Sequence, residues 1–94
     1  MKTFKDIEFQ PHSMGDGFMG KIFFDNGYGV SVVRFKIYNR YSSYTNNENE
    51  WEVAVLFGNE KEWELTYNTP ITNDVIGWLS EEDVTEIMKK VQEL

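Results

Sequence analysis

The last fifteen residues constrain the fold most. Ser80 is followed three positions later by Asp83, the spacing of a capping box, and Leu79 and Val84 stand at the two ends of a hydrophobic staple. Glu81, Glu82 and Asp83 crowd the positive end of the helix dipole, and Lys89 and Lys90 sit near its negative end. Val84, Ile87, Met88, Val91 and Leu94 keep the i, i+3, i+4, i+7 spacing of one apolar stripe. A helix this short does not persist alone, so the stripe must lie on something else. Burying its five side chains contributes about 1.5–3 kcal/mol each before entropy is subtracted.

The preceding sequence supplies a sheet for it to lie on. Residues 20–25 read as a strand, and Asn26-Gly27 is a strong hairpin signal, because a type I′ turn needs positive φ at both central positions. With those two residues as the loop, Asp25 faces Tyr28, Phe23 faces Val30 and Ile22 faces Ser31. A second strand follows over residues 28–38, with Val33, Phe35 and Ile37 expected inward and Arg34 and Lys36 outward. Residues 51–57 form a third strand that buries Trp51, Val53, Val55 and Phe57. Residues 62–67 form a fourth, in which Trp63, Leu65 and Tyr67 alternate with Glu62, Glu64 and Thr66. A loop at Gly58, Asn59 and Glu60 pairs Val55 with Trp63 and places both tryptophans in one interior. Pro70 is expected to end the sheet. The predicted architecture is α+β: a four-stranded antiparallel meander, or five-stranded if residues 4–12 add a strand, packed against one C-terminal helix. Residues 1–94 read as one domain, with no repeat or linker.

Composition sharpens this picture. Aromatic residues make up 16% of the 94-residue chain, so rings must supply much of the core. Cysteine is absent, which removes disulfides and thiolate chemistry. No apolar run approaches the roughly 18 residues of a membrane span and no signal peptide is evident, so the cytoplasm is the expected location and no membrane is an expected partner. Residues 1–47 hold six basic and four acidic side chains, and residues 48–94 hold three and twelve, for a total of −7. This balance lacks the basic footprint of a direct nucleic-acid binder.

Catalytic motifs are missing. His12 is the sole histidine and cysteine is absent, so a nucleophile–histidine constellation would have to be built around this one N-terminal residue, and an enzyme is not expected. His12 and Asp16 lie in a glycine-rich turn with no second ligand cluster, so no metal is expected. Gly15, Gly17 and Gly20 match a bare Gly-x-Gly-x-x-Gly, but no strand precedes it and no helix follows it, so no cofactor is implied.

Two surface features carry binding chemistry. Tyr38, Tyr41 and Tyr44 recur every third residue beside Arg40 in a polar segment, and Tyr and Arg are the residue types richest in binding hot spots. Glu52, Glu62 and Glu64 are expected on one solvent face, with Glu48 and Glu50 at its border. Such an array can imitate DNA phosphates. It can instead form a solvated charge ladder with Arg34 and Lys36 across from Glu52, which is the favoured reading.

The strings Asp25-Asn26-Gly27-Tyr28-Gly29-Val30-Ser31-Val32-Val33, Glu52-Val53-Ala54-Val55-Leu56 and Thr69-Pro70-Ile71-Thr72-Asn73-Asp74-Val75-Ile76-Gly77 resemble stretches of small bacteriophage and prophage proteins. The resemblance implies a shared fold, without an assigned active site. Short acidic phage proteins of that kind are often non-catalytic binders, including inhibitors of CRISPR or restriction systems. The expected function is therefore a protein-interaction module that occludes a host or defence protein through residues 38–50 and the acidic strands. A DNA mimic and a self-associating or virion subunit are the alternatives, and the oligomeric state is open.

Overall fold

The computed structural model describes residues 1–72 and 75–94; Asn73 and Asp74 of the third string above lie outside the described residues. Among the described residues, seven strands form one antiparallel sheet. They are β1 (Gln10–Pro11), β2 (Asp16–Phe23), β3 (Tyr28–Ile37), β4 (Arg40–Tyr41), β5 (Trp51–Gly58), β6 (Trp63–Leu65) and β7 (Ile76–Leu79), and the helix α1 spans Glu81–Gln92. The order is β1-β2-β3-β5-β6, with β4 paired to β3 and β7 paired to β5. This is the expected α+β class with more strands than the four or five predicted. Residues 4–12 contribute a 3-10 turn (Phe4–Asp6) and the short β1 rather than a full strand, and β2 begins at Asp16 rather than Gly20. Pro70 does not end the sheet, because β7 returns to pair with β5 before the helix begins.

The helix forms as its sequence dictates. The Asp83 N–H donates to Ser80 Oγ at 3.1 Å and the Ser80 N–H donates to Asp83 Oδ2 at 3.1 Å, so both halves of the capping box are made. Val84, Ile87, Met88 and Val91 are buried; Leu94 lies past the last turn and is exposed, contrary to expectation. The helix packs on Val30, Val32, Val53 and Val55, with Ile7, Phe24 and Trp51 completing the core. The Phe4, Phe9 and Trp51 rings close one end, with centroids 4.6–5.4 Å apart.

Three strand expectations are corrected. The β2–β3 hairpin pairs Ile22 with Val30 and Phe23 with Gly29, one residue off the predicted register. Its turn spans Asp25, Asn26 and Gly27, with the Phe24 N–H donating to the Tyr28 carbonyl at 2.7 Å and Gly27 at φ 86°, a three-residue loop rather than a two-residue one. The inward side of β3 carries Val30 and Val32, both fully buried, together with Arg34; Val33 and Phe35 point away from the helix.

The third correction concerns β6. The structure pairs Leu56 with Leu65 and Gly58 with Trp63, not Val55 with Trp63. The reason lies in the turn: Asn59 Oδ1 accepts from the N–H groups of Lys61 and Glu62 at 2.9 and 3.1 Å, and Gly58, at φ 131°, has no Cβ to meet the Glu62 carbonyl. Trp63, Leu65 and Tyr67 are consequently exposed by 41%, 45% and 47%, and Trp63 does not share the interior that holds Trp51. Phe57 also lies half exposed, against the edge of Tyr28.

Candidate functional site

Neighbouring residues across an antiparallel ladder share a face. The pairings Met19–Val33, Lys21–Ser31, Phe23–Gly29, Val33–Glu52, Ser31–Ala54, Leu56–Leu65 and Gly58–Trp63 therefore define the sheet face opposite the helix. Leu56 on this face is fully buried yet stands outside the helix-side core, and the Phe23 ring lies against Gly29 beside it. Lys21 Nζ sits 4.7 Å from the Trp63 ring centroid although two strands, β3 and β5, separate β2 from β6 along the sheet, so the sheet curls around this second, smaller apolar cluster. At the other end His12 stacks on Phe35 with centroids 3.8 Å apart, and its Nδ1 accepts from the Met14 N–H at 3.0 Å. The ring thus serves local packing.

The segment following β4 crosses the end of this face. The Phe35 N–H donates to Ser43 Oγ at 3.2 Å, the buried hydroxyls of Ser43 and Thr45 are 2.9 Å apart, and the Trp78 N–H donates to the Tyr44 carbonyl at 2.7 Å. The polar segment over residues 42–50 is therefore held by a network. Tyr44 stacks on Trp78 with centroids 5.5 Å apart and planes at 16°. Trp78 holds φ 54° at a register shift in β7, and Gly77 permits the approach, since a Cβ there would meet Tyr44 Cβ and lie 2.7 Å from its carbonyl oxygen. A bulky residue in the left-handed region is a local strain of order 1–3 kcal/mol, which the surrounding bonds must offset. Both rings remain about half exposed, Tyr44 by 49% and Trp78 by 54%.

The expected tyrosine patch is dispersed. Tyr38 occupies a two-residue hairpin turn with Asn39, at φ 51° and 64°, and is 97% exposed. Arg40 follows it, exposed. Tyr41 pairs with Lys36, whose Nζ lies 4.8 Å from its ring, on the helix side of the sheet. Only Tyr44 reaches the helix-free face.

The acidic set is divided as well. Glu52 lies on the helix-free face, where its carboxylate accepts the Tyr44 N–H at 3.1 Å. Glu62 and Glu64 follow the side of β6 that pairs with Phe57, so they point to the opposite face. The Glu50 carboxylate accepts the Asn46 N–H at 2.8 Å, and the Glu48 carbonyl accepts from Arg34. Arg34 spreads over the Trp51 ring, 4.3 Å from its centroid, rather than pairing with Glu52. The predicted charge ladder is not formed.

The sequence reading overlooked Trp78 and the helix-free face. A glycine inside the apolar run Ile76-Gly77-Trp78-Leu79, just before the Ser80 cap, is a bulge signal that marks both. Among the described residues no group of three metal-ligating side chains comes together, and no helix is long and apolar enough to cross a membrane. No family model matches the chain, and comparison with curated proteins and with solved structures returns no match.

Proposed function

We propose that this chain is a non-catalytic protein-interaction module of the cytosol, which binds one partner protein through the helix-free face of its sheet and occludes that partner's working surface. The observation that carries this reading is the Tyr44–Trp78 stack. Two large rings are kept half in water by a strained backbone, a close glycine and a carboxylate-anchored strap. Rings fixed in place before binding lose little rotamer entropy on contact, which is the property of a binding anchor. Trp63 and Leu65 extend apolar surface along the same face. The resemblance to small phage proteins supports a host or defence protein as the partner class. Glu52 stands apart from Glu62 and Glu64, so the reading as a DNA mimic has less support.

Capture from a bacterial lysate tests the proposal. The wild-type chain is expected to retain a specific protein that a Tyr44→Ala, Trp78→Ala double variant loses, with the variant still cooperatively folded. Equal retention of that protein by the folded variant removes the stack from the account.

A further inference from the structure

The outer edge of β6 has the chemistry of a docking site for an extended chain. Asn59 and Glu62 exchange both backbone bonds, at 2.9 and 3.2 Å, and the Thr66 N–H donates to the Val55 carbonyl at 3.0 Å. Bonded pairs alternate in an antiparallel ladder, so Glu64 bonds inward to Phe57 and the backbone groups of Trp63 and Leu65 turn to the open edge. β6 is the last strand in the sheet order, and no bond to those groups is made among the described residues.

The other edges carry guards of the usual kinds. β1 is two residues long and contains Pro11, β4 is two residues long and begins with Arg40, and β7 has an irregular register. β6 has no proline, no basic residue and no bulge. It offers two rows, Trp63 and Leu65 on the helix-free face and Glu62 and Glu64 on the other. A second copy paired about Glu64 sets that carboxylate against itself, and one paired about Trp63 sets Glu62 against Glu64; only pairing about Leu65, which sets Glu64 against Thr66, escapes this repulsion. Like charges opposite one another destabilise a ladder. A strand that alternates apolar with basic residues meets both rows with matching chemistry.

We infer that the β6 edge adds an extended segment of a partner protein in which apolar residues alternate with Lys or Arg. Main-chain bonds to Trp63 and Leu65 supply the affinity and the two side-chain rows supply the selectivity. This inference rests on the protein-binding reading above and names the chemistry of the partner.

The test uses capped synthetic peptides of about six residues, the usual length of a strand. One alternates Lys with Val, one alternates Glu with Val, and one is the Lys–Val peptide N-methylated on the residues that face β6. Binding is read from backbone amide resonances of the full chain. The Lys–Val peptide is expected to shift the Trp63 and Leu65 amides. Acidic replacement or N-methylation is expected to weaken binding at least about tenfold, and Glu62→Gln with Glu64→Gln about fivefold at low salt. Leu65→Pro removes an outward donor without breaking a bond to β5, and is expected to abolish binding while the remaining resonances stay in place.

Equal affinity for the N-methylated peptide, shifts confined to other strands, or absence of binding at millimolar peptide overturns the inference. So does a concentration-dependent dimer that Leu65→Pro dissolves, which assigns the edge to a second copy. Failure here, with lysate capture still dependent on Tyr44 and Trp78, leaves the broader reading standing. Capture indifferent to those two rings fails that reading separately.

Discussion

Asn26 and Val91 are joined across the molecule: the Asn26 Nδ2 donates to the Val91 carbonyl at 2.8 Å and to the Leu94 carbonyl at 3.4 Å, while its Oδ1 accepts the Tyr28 N–H at 3.2 Å. One side chain shapes the first hairpin turn and gives the Val91 carbonyl, near the end of the helix, a donor from the sheet beside the Leu94 N–H at 3.2 Å. The sheet and the helix are locked at this point by polar bonds as well as by their shared core.

Asn26→Ala is therefore expected to lower stability by about 1–2 kcal/mol. Asn26→Asp keeps the acceptor for Tyr28 but loses the donor and sets a negative charge at the helix C-terminus, so it is expected to cost at least as much. Urea unfolding of both variants checks this; wild-type stability in the aspartate variant would show that the bond to Val91 contributes nothing.

At the other end of the helix, Ser80→Ala removes the acceptor for the Asp83 N–H. A loss of about 1 kcal/mol is expected, measured as a shift of the urea midpoint at constant slope.

The two leucines that face each other across β5 and β6 are unequal. Leu56 is fully buried and Leu65 is 45% exposed. Leu56→Ala is expected to cost about 2–5 kcal/mol and Leu65→Ala well under half of that. Equal losses in thermal or chemical unfolding would mean that the helix-free face holds no packed cluster.

A methyl group at position 77 collides with Tyr44 Cβ and its carbonyl oxygen. Gly77→Ala is expected to lower stability by about 1–3 kcal/mol and to reduce the near-UV circular dichroism that the Tyr44–Trp78 stack contributes. An unchanged spectrum with wild-type stability would place the strap elsewhere.

Legibility in the sequence followed the range of the interactions involved. The helix was readable because Ser80, Asp83 and the stripe through Val91 are all local, whereas Leu94 matched the periodicity but lies beyond the last turn. The interior side of β5 was readable at Trp51, Val53 and Val55. β3 was not, because Val30, Val32, Val33 and Phe35 make both of its faces apolar, and alternation alone does not say which one meets the helix. The candidate site was legible in Tyr44 and in Glu52, which anchors the Tyr44 N–H. The stacking partner of Tyr44, Trp78, comes from a strand thirty-four positions away, brought beside it by the pairing of β7 with β5.

The amino-acid sequence by itself determined that a capped amphipathic helix closes an antiparallel sheet, because capping, periodicity and turn propensity act over a few neighbouring residues. Tertiary structure decided which rings stay in water. The Asn59 turn set the register of β6, and the helix together with Phe4, Phe9 and Trp51 had already filled one face. Trp63 and Leu65 were thereby assigned to the other face, since a side chain's burial depends on what the rest of the chain lays over it.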